Sequence, residues 1–181
     1  MVQLSRLLFS FSLLAAAVTT PVKRTVAQVE ADIASISAQV TTLDNAIKAF
    51  PNTGGSLAAA LAIHTDATTL ESTLTQGTSD VTSTGAVSET DGRTLLNQVE
   101  AFEPTILDGL VQIAAKQPAF AALPISGIPA LILQDLQTLK TDTVNFADAL
   151  IANAPATLKT EATQLASNIT SGFDTAIAAY E

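Results

Sequence analysis

The sequence predicts an all-α protein, built as a bundle of about five amphipathic helices. Two observations predict it. Apolar residues recur at spacings of three and four along five segments, and the alternation of apolar with polar residues that marks a strand never persists. The length fits one ordinary domain, because the chain has 181 residues, 48% of them hydrophobic.

The first helix is predicted to run from Val26 to Phe50. Thr25 is its expected N-cap, with Gln28 completing a capping box, and Pro51 ends it. Its apolar stripe has an unbroken 3-4 spacing: Val26, Val29, Ile33, Ile36, Val40, Leu43, Ile47 and Phe50.

A second helix is expected to begin after Ser56 as N-cap and to stop near Gly77. Its stripe is Leu57, Leu61, His64, Ala67, Leu70 and Leu74. The stretch from Gly77 to Val87 is rich in Gly, Ser and Thr, which predicts a loop.

Ser88, with Asp91 three residues later, is expected to open a third helix. This helix carries Leu95, Val99, Phe102, Ile106, Leu110 and Ile113. Pro104 lies inside the pattern, so we expect the helix to kink near Glu103 or to restart there.

Residues 118–129 contain three prolines and predict the longest irregular apolar connection, which should cover other apolar residues. Pro129 suits the first turn of a fourth helix, with the stripe Ile132, Leu136, Leu139, Thr143, Phe146 and Leu150. A fifth helix follows Pro155, with Leu158, Ala162, Leu165, Ile169, Phe173, Ala176 and Tyr180.

The N-terminus predicts a secreted protein. Residues 1–17 have the charge, apolar run and small residues of a signal peptide, and the apolar run is too short for a membrane anchor. Residues 18–24 resemble a propeptide cut after Arg24, the alternative being an uncut tail, and 25–181 form the domain. That domain keeps five Lys and Arg (8 − 3) against 17 acids, a net charge of −12. The end of the chain lacks a GPI-type tail, so we expect release without a lipid or transmembrane anchor.

Composition excludes several classes of function. The chain has no Cys and one His, which excludes disulfide frameworks, thiol nucleophiles and Cys/His zinc sites. The net charge of −9 argues against nucleic-acid binding, which needs clustered Lys and Arg. Motifs for a serine nucleophile, a P-loop or a dinucleotide fold are lacking, and the 17 acids are expected on solvated faces. We therefore expect no enzyme, cofactor or metal.

The outer faces are rich in Ala (32) and Thr (25), whereas only 14% of residues are charged. One interpretation is a coat that contacts hydrophobic solid surfaces, because uncharged hydroxyls cost less to bury than ions. The other is a wall glycoprotein whose Ser and Thr carry sugar. Asn168 lies in the sequon predicted for N-glycosylation.

Alanines on inward-facing positions leave two possibilities for the core. The helices enclose a lengthwise apolar cavity that suits a fatty acid or similar amphiphile, or they approach closely and leave none. The mid-stripe residues are the candidate lining: Ile36, Val40, Leu61, Leu70, Phe102, Leu110, Leu136, Phe146, Leu165 and Phe173. His64 and Thr143 interrupt the stripes, either to bond a ligand carboxylate or as ordinary buried polar residues.

Taken together, the chain resembles the fungal hydrophobic surface-binding protein A family, which is related to the cell wall galactomannoproteins. The resemblance rests on the signal peptide, the Val22-Lys23-Arg24 junction, the cysteine-free Ala/Thr-rich helices and the stripe that begins VAQVEADI. It implies a secreted helical bundle, either released or associated with the cell wall, that adsorbs to hydrophobic surfaces and helps recruit cutinase-like hydrolases. In the mannoprotein relatives it implies fatty-acid binding. The alternative remains a structural or antigenic wall mannoprotein without a ligand.

Overall fold

The computed structural model describes residues 25–181 and confirms the all-α class. The helices of this part of the chain are α1 (Val26–Ala49), α2 (Leu57–Thr84), α3 (Glu89–Ala115), α4 (Gln117–Ala121), α5 (Ile128–Asn153) and α6 (Lys159–Ala178). The predicted signal peptide, propeptide and cleavage at Arg24 lie outside the described residues.

The five long helices form a closed ring. Each packs chiefly against two others, in the order α1, α2, α5, α6, α3 and back to α1, while the short α4 packs on α5 and α3. Contacts such as Asp44 with Gly109 and Arg93 with Glu161 show that α1, α3 and α6 run in one direction. The short connections turn α2 and α5 the opposite way. A ring of this kind encloses the apolar stripes on its axis.

Polar side chains begin the first three helices as predicted. Thr25, Ser56 and Ser88 each accept a hydrogen bond from the backbone N–H three residues later. The capping box at α1 is not completed, because the Gln28 side chain donates to Asp32 instead.

The loop predicted for residues 77–87 is largely wrong, since α2 continues to Thr84. Gly77 lies within the helix because the Phe146 ring packs against it: a Cβ there would lie 3.0 Å from Cε2 of that ring. The helix ends at Gly85, whose φ of 75° suits glycine. The small residues of this stretch therefore serve helix packing.

The structure shows where the prolines lie relative to the helices. α3 runs through Pro104 as one helix and does not restart there. The connection at 118–129 contains α4, and Pro129 lies in the first turn of α5, as expected.

One end of the ring is closed by aromatic residues. Phe120 of α4 is fully buried and stacks on Phe50, with ring centroids 4.1 Å apart. The buried Lys116 donates to the Phe50 carbonyl, and the Tyr180 hydroxyl donates to the Ile113 carbonyl at 2.8 Å. The apolar connection thus covers the core, as predicted.

Candidate functional site

An apolar cavity lies on the axis of the ring, toward the end that α4 closes. We call it the axial cavity; its volume is about 70 Å³. All five long helices contribute to its wall: Val40, Leu43, Asp44, Ile47, Ile63, Ala67, Leu70, Thr105, Ile106, Gly109, Leu110, Ile113, Ile132, Asp135, Leu136, Leu139 and Phe173. A water molecule needs roughly 10–15 Å³ on this measure, so the axial cavity has room for a segment of alkyl chain.

A second cavity, the side cavity, lies between α3, α5 and α6 toward the other end of the ring. It also measures about 70 Å³ and has an entirely apolar lining: Val87, Gly92, Leu95, Leu96, Val99, Ala147, Leu150, Ile151, Ala154, Leu158, Ala162, Leu165, Ala166 and Ile169. Apolar space is therefore distributed along the length of the bundle. A complete long-chain amphiphile would occupy it only if core side chains between the two cavities moved.

Small side chains contribute to the open space of the two cavities. Ala67, which is buried on α2, lines the axial cavity, and the half-buried Ala162 of α6 lines the side cavity. Ala176 is fully buried and lines neither. The interpretation that alanines leave open space thus describes two of these three positions, and close packing describes the third.

The candidate lining residues fall into three groups. Val40, Leu70, Leu110, Leu136 and Phe173 line the axial cavity, and Leu165 lines the side cavity. Ile36, Phe102 and Phe146 are buried in the core but line neither cavity. The remaining one, Leu61, is 43% exposed, so the expectation that it faces inward is wrong. The inward face of α2 begins with Ala60 and Ile63 instead.

The two polar interruptions of the stripes lie outside the cavity walls. Nδ1 of His64 lies 2.9 Å from both carboxylate oxygens of Asp135, which joins α2 to α5. Thr143 is half-buried on α5. His64 is half-buried, and its arrangement is that of a structural polar residue hydrogen-bonded to its neighbour.

Sequence reasoning missed the buried carboxylates. Asp44 and Asp135 are only 5% and 7% exposed and both line the axial cavity, so the expectation that acids lie on solvated faces fails for them. The spacing of Asp44 could have indicated its burial. It lies four residues after Val40 and three before Ile47, on the apolar stripe itself.

Lys48 joins two of the acids at the seam between α1 and α3. Its Nζ lies 2.7 Å from Oδ2 of Asp44 and 2.6 Å from Oδ2 of Asp108. The hydrogen bond to Asp108, followed by that to Asp44, raises the pKa of Lys48, and the same bond lowers the pKa of Asp108.

A second group of acids follows the seam between α2 and α5. Burial raises the pKa of Asp135, against the opposing hydrogen bond to His64, and burial also raises the pKa of Asp142. Burial, and then the charges of Asp135 and Asp142, raises the pKa of Glu71 to about 7. Of these three acids, only Asp135 lines the axial cavity.

The described residues show no group of three or more His, Cys, Asp or Glu side chains that could hold a metal ion. Among the helices of residues 25–181, none combines the length and the apolarity needed to cross a bilayer. Asn168 is exposed on α6, where its side chain donates to Glu103, and its glycosylation stays a prediction.

Comparison with known proteins identifies the family. A family model described as hydrophobic surface binding protein A matches residues 26–152. The chain belongs to this family. The matched region contains every residue that lines the axial cavity except Phe173 of α6.

Relatives of this family member include cell wall mannoprotein 1 of Aspergillus flavus, which is 28% identical over 175 residues. The alignment covers 96% of this chain but 61% of the mannoprotein, so the chain spans less than two thirds of that relative.

Two solved structures share the helical architecture. One is Afmp4p in complex with palmitic acid: it is 29% identical, has a TM-score of 0.79, and the match covers 86% of this chain and 99% of Afmp4p. The other is ligand binding domain 1 of Penicillium marneffei MP1 protein complexed with arachidonic acids, with 18% identity, a TM-score of 0.77 and coverage of 86% and 99%. The MP1 likeness supports the fold alone.

Proposed function

We propose that this protein is an extracellular or wall-associated, non-catalytic binding protein that holds the alkyl chain of a fatty acid or similar amphiphile in the axial cavity. The observation that carries the proposal is an apolar cavity lined by all five long helices. The similarity to Afmp4p, whose structure contains palmitic acid, supports it.

Filling the axial cavity tests this function. Ala67→Leu adds three carbons to a buried position on the cavity wall. Three methylene equivalents are worth about 2.4 kcal/mol of burial, and overpacking costs about 1–3 kcal/mol, so the two effects nearly cancel and the variant should fold. Its affinity for palmitate should fall by about tenfold or more, because the alkyl chain competes with the new side chain.

The assay is displacement of a fluorescent fatty acid from the purified protein, with unfolding followed by circular dichroism. Ala62→Leu is the matched control, since it makes the same change at an exposed position of α2 and should bind palmitate like the wild type. Equal affinity in all three proteins, or no saturable binding to the wild type, would refute the pocket. The second result would favour the alternative of a structural wall mannoprotein whose core only packs.

A second function, adsorption to hydrophobic solid surfaces, is supported by the threonine coat. Eleven threonines, nine of them exposed and two half-buried, donate their hydroxyls to the carbonyl four residues earlier in the same helix. Because these donors already have partners, covering the coat with an apolar surface breaks few hydrogen bonds to water. The methyl groups of these side chains add apolar contact area.

Large apolar side chains on the surface also favour adsorption to hydrophobic solids. Leu61, Val111 and Ile125 are 43%, 64% and 49% exposed, and all three lie toward the end of the ring that α4 closes. Replacing all three by serine should reduce the amount of protein that hydrophobic beads remove from solution, while palmitate affinity stays unchanged. Ala67→Leu should show the reverse pattern. If the triple variant adsorbs like the wild type, these side chains do not form the contact.

Recruitment of secreted cutinase-like hydrolases is a further proposal, which follows from adsorption. A protein bound to an apolar polymer would present the rest of its surface to the enzyme, and the chain carries a net negative charge. Co-sedimentation of a cutinase with coated and uncoated beads tests it: recruitment requires more enzyme on the coated beads, and equal amounts would contradict it.

A further inference from the structure

The axial cavity contains a buried acceptor that the fold does not use. Asp44 is 5% exposed, and its Oδ2 pairs with Lys48 at 2.7 Å. Its other oxygen, Oδ1, is buried and has no hydrogen-bond partner among residues 25–181. The nearest atom that a side chain at Gly109 would present, a Cβ, would lie 3.6 Å from this oxygen. The glycine of α3 thus puts no side chain, and no side-chain hydrogen-bond donor, beside the buried Oδ1.

Acidic side chains make up most of the polar lining of the axial cavity. Three polar residues line the axial cavity, and two of them, Asp44 and Asp135, are carboxylates. Thr105 is the third, and its hydroxyl can either donate or accept. The nearby basic side chains already have partners: Lys48 bonds two aspartates, and His64 bonds Asp135. A ligand carboxylate placed here would meet acceptors and negative charge.

We propose, on the basis of the amphiphile-binding function above, that the axial cavity selects single-chain amphiphiles whose head group donates a hydrogen bond and carries no negative charge. Asp44 is the specificity-determining residue, and its Oδ1 accepts that hydrogen bond. Long-chain primary alcohols and protonated fatty acids meet this requirement. An ionised fatty acid does not, and it binds with its carboxylate away from Asp44.

The expected selectivity follows from the strength of the bond. A hydrogen bond to a charged acceptor contributes roughly a tenfold to hundredfold factor in affinity. Leaving a buried acceptor unpaired forfeits that factor, and bringing a second negative charge beside it lowers affinity further.

Three ligands with the same acyl or alkyl length separate these effects. Dodecanol donates a hydrogen bond and is neutral, methyl dodecanoate is neutral but only accepts, and dodecanoate at pH 8 is negatively charged. Competition with a fluorescent fatty acid should rank dodecanol tightest, by about tenfold over methyl dodecanoate, with dodecanoate weakest. Dodecanoate equal to or tighter than dodecanol would overturn the inference.

Variants assign the preference to Asp44. Asp44→Asn replaces the charge by an amide that can donate, so the ratio of dodecanol to dodecanoate affinity should fall by about tenfold. Asp108→Asn is the matched control, because it changes the other partner of Lys48. The Asp108 side chain is 43% exposed and lies outside the cavity wall. Its affinity ratio should match that of the wild type. A ratio that changes equally in both variants would assign the preference to Lys48 and contradict the inference.

A second route keeps the ion pair intact if Asp44→Asn fails to fold. Gly109→Ala places a methyl group at ordinary contact distance, 3.6 Å from Oδ1, and favours the helix. It should also lower the preference for dodecanol. An unchanged preference in this variant would overturn the inference. If none of the three ligands binds the wild type, the proposed function fails as well; if all bind with equal affinity, only the head-group inference fails.

Discussion

Replacing Glu71 by glutamine should reduce the pH dependence of stability. Burial, and then the neighbouring charges of Asp135 and Asp142, raises the Glu71 pKa from 4.5 to about 7. The folded protein therefore holds this proton more tightly than the unfolded chain does. By linkage, ionisation of Glu71 costs the folded state free energy, so stability falls as pH rises from 4.5 to about 7. Glutamine does not ionise, and that part of the fall disappears.

The magnitude follows from the same two values. A rise from 4.5 to about 7 would correspond to about 3.4 kcal/mol for a fully desolvated group, at about 1.36 kcal/mol per pKa unit. Glu71 is only half-buried, and solvent screening reduces the effect to about 1 kcal/mol. Asp135 and Asp142, whose pKa values burial also raises, leave a residual fall with the same sign in the variant.

The assay is urea unfolding at pH 4, 6 and 8, with Asp148→Asn as a control that removes an exposed carboxylate. At pH 8 the Glu71→Gln protein should have a free energy of unfolding about 1 kcal/mol above that of the wild type. At pH 4 the two should agree, and the control should follow the wild type throughout. Parallel pH profiles for Glu71→Gln and the wild type would refute this account of the seam between α2 and α5.

Two further predictions concern packing, and unfolding by urea measures both. Phe120→Ala should lower the free energy of unfolding by about 3–5 kcal/mol, because the fully buried ring and its stacking on Phe50 are lost; Phe120→Leu should cost clearly less, and equal costs would contradict the role of the ring. Gly77→Val should lower it by about 1–3 kcal/mol, since even the Cβ would lie 3.0 Å from the Phe146 ring, whereas an unchanged value would mean that the ring moves freely.

The helices were predictable because their stripes and caps are local signals. Spacings of three and four placed α1 almost to the residue, and Ser56 and Ser88 marked the next two starts. The end of α2 was not predictable, because Gly77 belongs to a helix only by virtue of the Phe146 ring, which lies far along the chain. Local propensity favours a loop there, and tertiary packing overrides it.

The site was partly predictable. The apolar lining follows from the stripes, which is why Leu70, Leu110 and Leu136 were found. The acids were missed because charge usually indicates a solvated face, although Asp44 and Asp135 occupy stripe positions. Whether alanines leave a void depends on the volumes of the side chains across the ring, and one sequence does not fix these volumes.

The central claim is that an alkyl chain enters the ring of helices. The most direct test is the set of intermolecular nuclear Overhauser effects between unlabelled palmitic acid and protein with ¹³C-labelled methyl groups. If the alkyl chain enters the ring, we expect contacts from the alkyl protons to Leu70, Leu110 and Leu136, which line the axial cavity. Contacts confined to Leu61 and Val111 on the outer surface would contradict it and leave adsorption as the mode of binding.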